Sequence, residues 1–101
     1  MKALLSVFAV ALLLGCRTIP LTYSGGDGSS NEQAVIIRGA RDTEAGIAAE
    51  NAWIQQRYPG ARKTMAALES IGRKQYDVIE FTTADGQTRS IYFDITDFFG
   101  K

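Results

Sequence analysis

The sheet of this protein is set by residues 75–95, which read QYDVIEFTTADGQTRSIYFDI. Two runs in which apolar and polar side chains alternate, 75–83 and 88–95, flank the dipeptide Asp85-Gly86. Alternation is typical of a half-buried strand, and Asp-Gly between two such runs is a strong short-range signal for a β-hairpin. The segment therefore predicts two antiparallel strands joined by a tight turn.

Two pairings of this hairpin fit the same residues. A two-residue turn at Asp85-Gly86 pairs Val78 with Phe93 and sets two aspartates opposite each other. A three-residue loop over residues 84–86 pairs Ile79 with Ile91 instead. The choice matters because a slip of one residue turns every side chain to the other face of the sheet. We favour the two-residue turn, because it keeps apolar residues together and a solvent face tolerates one like-charge pair.

The residues upstream predict a strand followed by a helix. Residues 34–38 form a short run rich in β-branched side chains, which is typical of a strand. Asp42 or Thr43 can cap a helix that runs to about Tyr58, where Pro59-Gly60 stops it.

The predicted helix is amphipathic. Its apolar face is expected to carry Ile47, Ile54 and Tyr58, spaced seven and four residues apart. Ala48 and Ala52 flank this stripe and allow the helix to lie close to a sheet.

Residues 64–71 predict one more strand, although several of them are also good helix formers. The element order is then β-α-β-β-β. It predicts an α+β domain over residues 34–101, in which one amphipathic helix packs on one face of a small antiparallel sheet.

The amino-terminal segment reads MKALLSVFAVALLLGC, a basic start and an apolar run that ends at the chain's one cysteine. Its end, Leu13-Leu14-Gly15-Cys16, resembles the lipobox of bacterial lipoprotein precursors. The resemblance implies that residues 1–15 are a signal peptide, cleaved before Cys16. It also implies that the Cys16 thiol receives diacylglycerol and that the new amine is acylated, with palmitate as a typical chain. The apolar run is shorter than the about 20 residues that a membrane-spanning helix needs.

The same resemblance implies a location. Two or more acyl chains anchor a protein stably to a bilayer. Lipoproteins retained in the inner membrane of two-membrane bacteria favour aspartate after the cysteine, and this chain has Arg17. The expected place is therefore the cell envelope, on the outer membrane facing the periplasm. Residues 16–33 are rich in glycine and serine and predict a flexible lipidated tether with a reach of about 20–25 Å.

A second resemblance covers about half of the chain. Tyr58-Pro59-Gly60, residues 75–78, Asp85-Gly86 and residues 91–94 resemble small periplasmic helix-plus-hairpin modules of the PepSY type, and the chain is similar to small lipoproteins of proteobacteria. The matching positions are turn and core residues, so the resemblance implies no catalytic position.

The chain lacks the side chains that most often act as catalytic bases, nucleophiles or transition-metal ligands. The chain has no histidine, and lipidation of Cys16 would leave no thiol. We therefore expect no enzyme, no catalytic residue, no cofactor and no metal. One alternative remains open, a calcium site built from Asp77, Asp94 and Asp97, although the sequence lacks calcium-loop spacing. Asp94 is expected to face water and Asp97 to end the last strand.

Four aromatic residues are candidate partner contacts: Trp53, Tyr92, Phe98 and Phe99. Exposed aromatic side chains are enriched in binding hot spots. We favour the alternatives that Trp53 covers an edge of the core and that Phe98 and Phe99 close its end. Tyr92 is expected on the outer face of the hairpin.

The sequence as a whole predicts a membrane-anchored, non-enzymatic periplasmic lipoprotein that binds a protein or another envelope component. Eleven basic and eleven acidic residues balance, so the net charge does not favour nucleic acid as a partner. The other hypotheses are a carboxylate-based metal-binding or enzymatic module, and a purely structural envelope lipoprotein.

Overall fold

A computed structural model describes residues 19–101. These residues form one α-helix and a mixed five-stranded sheet, which confirms the α+β class. The elements are β1 (Thr22–Gly25), β2 (Val35–Arg38), α1 (Thr43–Arg57), β3 (Arg62–Ile71), β4 (Lys74–Thr82) and β5 (Thr88–Asp94). The strand order across the sheet is β1-β2-β5-β4-β3.

The prediction that the sheet is antiparallel was wrong in one pairing. β2 pairs with β5 in parallel through Val35 with Phe93 and Ile36 with Asp94, while the other neighbouring strands are antiparallel. Alternation in a sequence identifies strands but does not say which strands become neighbours. The hairpin β4–β5 leaves one edge of β5 open, and β2 occupies that edge.

The predicted tether contains part of the fold. Thr22–Gly25 is β1, which pairs antiparallel with β2, so the predicted domain boundary between residues 33 and 34 was wrong. The turn that follows is ordered by backbone hydrogen bonds: Gly28 N donates to Gln33 O at 2.7 Å, and Tyr92 N on β5 donates to Gly28 O at 2.8 Å. Gly25 and Gly28 have positive φ of 85° and 84°, a backbone conformation that favours glycine. The glycines predicted to give flexibility instead build a turn.

The helix begins and ends where the sequence predicts. Asp42 is the N-cap, and its carboxylate accepts a hydrogen bond from Ala45 N at 2.8 Å. Tyr58 is the C-cap, directly before Pro59.

The buried face of α1 differs from the predicted one. It consists of Gly46, Ala49, Glu50, Trp53 and Ile54. Ile47, Ala48 and Ala52, which the prediction placed on or beside the apolar stripe, are exposed. The prediction failed because one position of the true face is a glutamate, and the apolar residues alone then define a rotated stripe.

The hairpin adopts the register that we did not favour. Ile79 pairs with Ile91, and Asp77 lies opposite Phe93. Gly86 has φ of 91°, and its N–H donates to Thr83 O at 2.9 Å, which closes a three-residue loop. This register avoids the pair of opposed aspartates and places Asp77 on the helix-covered face.

The core lies between α1 and the sheet face that carries Ile37, Ile79 and Phe93. Trp53 meets the Phe93 ring edge-on, with ring centroids 5.5 Å apart. Phe98, just after β5, fills the space left by the missing side chain of Gly46, where an added Cβ would clash with the Phe98 ring.

Candidate functional site

The structure moves two of the four candidate partner contacts into the core. Trp53 and Phe98 are buried among the core residues, so the packing roles that the sequence analysis favoured are the observed ones and neither is an exposed contact. Trp53 is also covered from outside by Arg57, whose guanidinium carbon lies 4.4 Å from the ring centroid. Neither side chain offers a free aromatic face to a partner.

The other two candidates remain at the surface. Tyr92 lies on the sheet face away from α1, opposite Val78, and is half-buried. Phe99 is exposed beyond the end of β5. The two side chains belong to different parts of the surface, Tyr92 within the sheet and Phe99 at its end.

Cys16, the predicted lipid attachment site, and the predicted signal peptide 1–15 lie outside the described residues. In the part of the chain that the structure describes, residues 19–101, no helical segment has the length and hydropathy of a membrane span.

The largest uncovered feature of the sheet is its edge strand β3. The strand is ten residues long and pairs only with β4 in the described part of the chain. Met65, Leu68 and Ile71 are 56%, 55% and 42% exposed. Long edge strands with exposed apolar side chains pair readily with other strands unless the protein blocks them. We call residues 62–71 and their unpaired edge the β3 edge.

The helix does not extend over β3. Leu68 lies opposite Asp77 on β4, and cross-strand partners point to the same face of a sheet. Leu68 is therefore on the helix face, yet it is more than half exposed. On this side of the core, Glu50 of α1 lies against Asp77 of β4.

Glu50 is the most unusual titratable group in the described residues. Its side chain is 1% exposed, and neither of its carboxyl oxygens meets a hydrogen-bond donor within residues 19–101. Burial, and after it the adjacent Asp77 carboxyl, raise the pKa of Glu50 to about 9, while Lys63 on β3 acts in the opposite direction. Glu50 is therefore protonated at neutral pH, which makes it the hydrogen-bond donor and Asp77 the acceptor.

This carboxyl pair holds a proton beneath the helix. Two surface cavities, one near residues 19–21 and one between β1 and Trp53, are lined by other residues and include neither Glu50 nor Asp77. Glu50 is 1% exposed, so its carboxyl group offers no surface to a substrate or ligand. The pair therefore acts on stability and on its dependence on pH.

The three aspartates of the alternative calcium site do not come together. Asp77 is on the helix face, while Asp94 is on the opposite face, where Lys74 Nζ lies 3.7 Å from its carboxylate. Asp94 is buried, contrary to the expectation that it faces water, and it accepts a hydrogen bond from the Thr96 hydroxyl at 2.6 Å. Asp97 accepts a hydrogen bond from Gly39 N at 3.1 Å. Within residues 19–101, no three acidic or other metal-binding side chains gather around one point.

A cleft of about 570 Å³ opens where the described chain begins, between residues 19–21 and the segment that joins β2 to α1. Ile19, Leu21 and Ala40 give it an apolar lining, and Arg41 and Lys101 also line it. Ile19 is 79% exposed.

Comparison of the chain with protein-family models, with curated proteins and with solved structures gives no match. The resemblances to lipoprotein precursors and to PepSY-type modules therefore stay predictions.

Sequence reasoning missed both the β3 edge and the carboxyl pair, but signals for each are present. Residues 62–71 lack strict alternation and place Ala66-Ala67 at their centre, as expected for a strand with no buried face. Glu50 stands four residues after Gly46 and four before Ile54, which puts it on one helix face with them.

Proposed function

We propose that this protein is a non-enzymatic, membrane-anchored lipoprotein of the periplasm that binds an extended segment of an envelope protein along the β3 edge. Cys16 would carry the lipid that holds it at the membrane, as the lipobox resemblance implies. The folded domain would supply the recognition surface.

The observation that carries the binding proposal is the geometry of β3. One side of the strand is paired with β4 from Arg62 to Ile71, with a bulge between Lys63 and Met65. Its other side offers backbone N–H and C=O groups to a further strand. An extended peptide satisfies such groups by adding a strand to the sheet, and pockets for alternate side chains then supply specificity.

The side chains of β3 suit an incoming strand. Ala66 and Ala67 at its centre are small and exposed, so a second backbone can approach closely on both faces. Met65 and Ile71 lie on the face away from α1, and Leu68 lies on the helix face. A bound strand would cover apolar surface on both sides of the sheet, which adds a hydrophobic contribution to the backbone hydrogen bonds.

The anchor is tested by labelling cells with a fatty-acid analogue and comparing the native chain with Cys16→Ala. We expect the native protein to incorporate the label and the variant to lose it. Label that survives the substitution would refute lipidation at Cys16.

The binding surface is tested by placing a photo-crosslinking amino acid at Met65 in the native lipoprotein within its own envelope. We expect a defined crosslinked band that disappears when Leu68→Lys is added, because charged edge residues, and lysine above all, block strand addition. Ile47→Lys is the matched control: Ile47 is also an exposed apolar residue, but it lies on α1.

Three outcomes of this experiment speak against the proposal. A band at twice the mass of the protein would assign the edge to a second copy. Equal loss of the band with Ile47→Lys would show that the effect of the lysine is not specific to the edge. Absence of any band from Met65 would leave the β3 edge without a partner strand.

A further inference from the structure

The two ends of the sheet differ in their exposed apolar side chains. β1 and β4 begin at one end of the sheet, and β2 and β5 finish there. We call this the proximal end, because it is the end of the fold nearer to Cys16 along the chain. The segment after β5 is tied into it: Ile95 N donates to Gln75 O at 2.9 Å, and Thr43 N at the start of α1 donates to Lys101 O at 3.2 Å. The distal end holds the loops 26–34, 58–61 and 83–87.

Of the eight exposed large apolar residues in the described part of the chain, four lie at the proximal end, and the other four lie on β1, α1 and β3. Ile19, Leu21, Ile71 and Phe99 are all exposed there, at the chain's arrival, at the tip of the β3–β4 hairpin and after β5. Within the described residues, the distal loops contain no exposed large apolar side chain. Clustered exposed apolar residues mark surfaces that contact a partner or a membrane.

The short chain between Cys16 and Ile19 limits how far the proximal end can lie from a lipid on Cys16. Three peptide steps separate Cys16 from Ile19, so their Cα atoms lie within about 11 Å of each other. From Leu21 to Gly26 the chain passes along β1 for about 17 Å at the rise of a strand. A lipid on Cys16 therefore brings the proximal end to the bilayer and leaves the distal loops farther away.

We propose that the proximal end of the sheet rests on the bilayer that holds the Cys16 lipid, with Ile19, Leu21 and Phe99 in the interface. This inference rests on the proposed lipidation. The cleft of about 570 Å³ beside Ile19 and Leu21 opens toward the same end, and Arg41 and Lys101 beside it can meet lipid phosphates. Asp97 accepts a hydrogen bond from Gly39 N, and Asp42 accepts one from Ala45 N. The Asp42 carboxylate also lies 3.7 Å from Arg41 Nε, but the Arg41 side chain stays 89% exposed.

This orientation has a consequence for the β3 edge. β1, which follows the anchor, and β3 are the two outermost strands of the sheet. The strands would stand away from the membrane, with the β3 edge running from the bilayer toward the periplasm. A partner strand could then reach the edge from the side, without competing with the lipid surface.

The test uses the full lipoprotein, purified from its host and reconstituted in vesicles of phosphatidylethanolamine and phosphatidylglycerol. Cys16 is the chain's one cysteine and would be blocked by its lipid, so a single introduced cysteine is the only site for a fluorescent label. The labelled positions are Phe99→Cys and Lys101→Cys at the proximal end, and Ala84→Cys at the distal end. Lys101→Cys replaces a surface side chain, which keeps the test valid if Phe99→Cys disturbs the fold.

Lipids with a quencher in the acyl chain are expected to quench labels at positions 99 and 101 severalfold more than the label at position 84. Equal quenching at all positions, or stronger quenching at position 84, would overturn the orientation while leaving lipidation intact. Failure of the native protein to stay on the vesicles, with unmodified Cys16 by mass spectrometry, would instead overturn the anchor and the orientation with it.

Discussion

The two edges of the sheet are built differently. β1 is four residues long and is joined to the helix, because the Tyr23 hydroxyl donates a hydrogen bond to Ala49 O at 2.8 Å. The strand β3 is ten residues long, and the helix leaves its apolar side chains exposed. One edge is short and fastened, while the other is long and uncovered.

The difference begins at two adjacent residues of α1. Ala49 provides the carbonyl that receives Tyr23 from the β1 side. Glu50 faces the β3 side, where it meets Asp77 in place of an apolar side chain. The hydrophobic contact between helix and sheet therefore ends at β4. β3 is held in place by its backbone hydrogen bonds to β4. A strand held in this way adds little to the core and remains available for pairing.

The largest expected difference in stability is between a substitution in the core and one on the β3 edge. Phe93→Ala should lower the free energy of unfolding by about 3–5 kcal/mol, because it removes a buried ring and leaves a cavity beside Trp53. Leu68→Ala should change the free energy of unfolding by less than about 0.5 kcal/mol, because Leu68 is mostly exposed. Urea unfolding of both variants measures the contrast. A large loss from Leu68→Ala would mean that β3 belongs to the core.

The sequence predicts the core strands and the helix ends, but it does not predict which strands become neighbours, for a physical reason. The alternation around Ile79 and Phe93 predicts two strands and their hairpin, and Asp42 and Pro59 predict the ends of the helix. These signals are local. The parallel pairing of β2 with β5 depends on which strand reaches the open edge of β5. No local sequence pattern predicts that choice.

The candidate site was harder to predict because its residues look ordinary one at a time. A glutamate in a helix is usually exposed to solvent. Only the helical spacing of Glu50 from Gly46 and Ile54 indicates that it points inward. The segment before β2 was predicted to be flexible because its glycines suit coils. The same freedom of the glycine backbone lets Gly25 and Gly28 close a turn.

The polar contact between Glu50 and Asp77 lies where the core ends, and it is expected to lower the stability of the fold. Glu50→Gln should raise the free energy of unfolding at pH 7 by up to about 3 kcal/mol. The amide keeps the shape of the side chain and can donate to Asp77, but it carries no ionisable group. The folded state no longer has to hold a proton that the unfolded chain releases. Urea unfolding at a series of pH values measures the effect.

The sign of the pH dependence follows from the raised pKa. Between the ordinary value of 4.5 and about 9, the folded state binds a proton at Glu50 that the unfolded state does not. The stability of the native protein should therefore fall as pH rises through this window, by up to about 1.4 kcal/mol per unit from this group. Glu50→Gln should remove that slope, whereas Glu32→Gln at an exposed turn position should keep it. An unchanged slope in Glu50→Gln would mean that Glu50 is ionised in the fold.

The smallest expected effect tests the fastening of β1. Tyr23→Phe removes the hydroxyl that bonds to Ala49 O and should lower the free energy of unfolding by about 1 kcal/mol. Hydrogen exchange of the β1 amides should become faster, because this strand loses its direct hydrogen bond to the helix. The β3 amides, which pair only within the sheet, should exchange at unchanged rates.

Tyr92→Phe is the control for this change, because Tyr92 lies on the sheet face away from α1 and its substitution should alter stability by less than about 0.5 kcal/mol. The comparison is sharp because both variants remove one oxygen from a tyrosine on the sheet. If Tyr23→Phe is as mild as Tyr92→Phe and leaves β1 exchange unchanged, then the hydrogen bond to Ala49 does not fasten the edge. β1 would in that case be held by its pairing with β2 alone, and the two edges would differ in length and exposure but not in how the helix holds them.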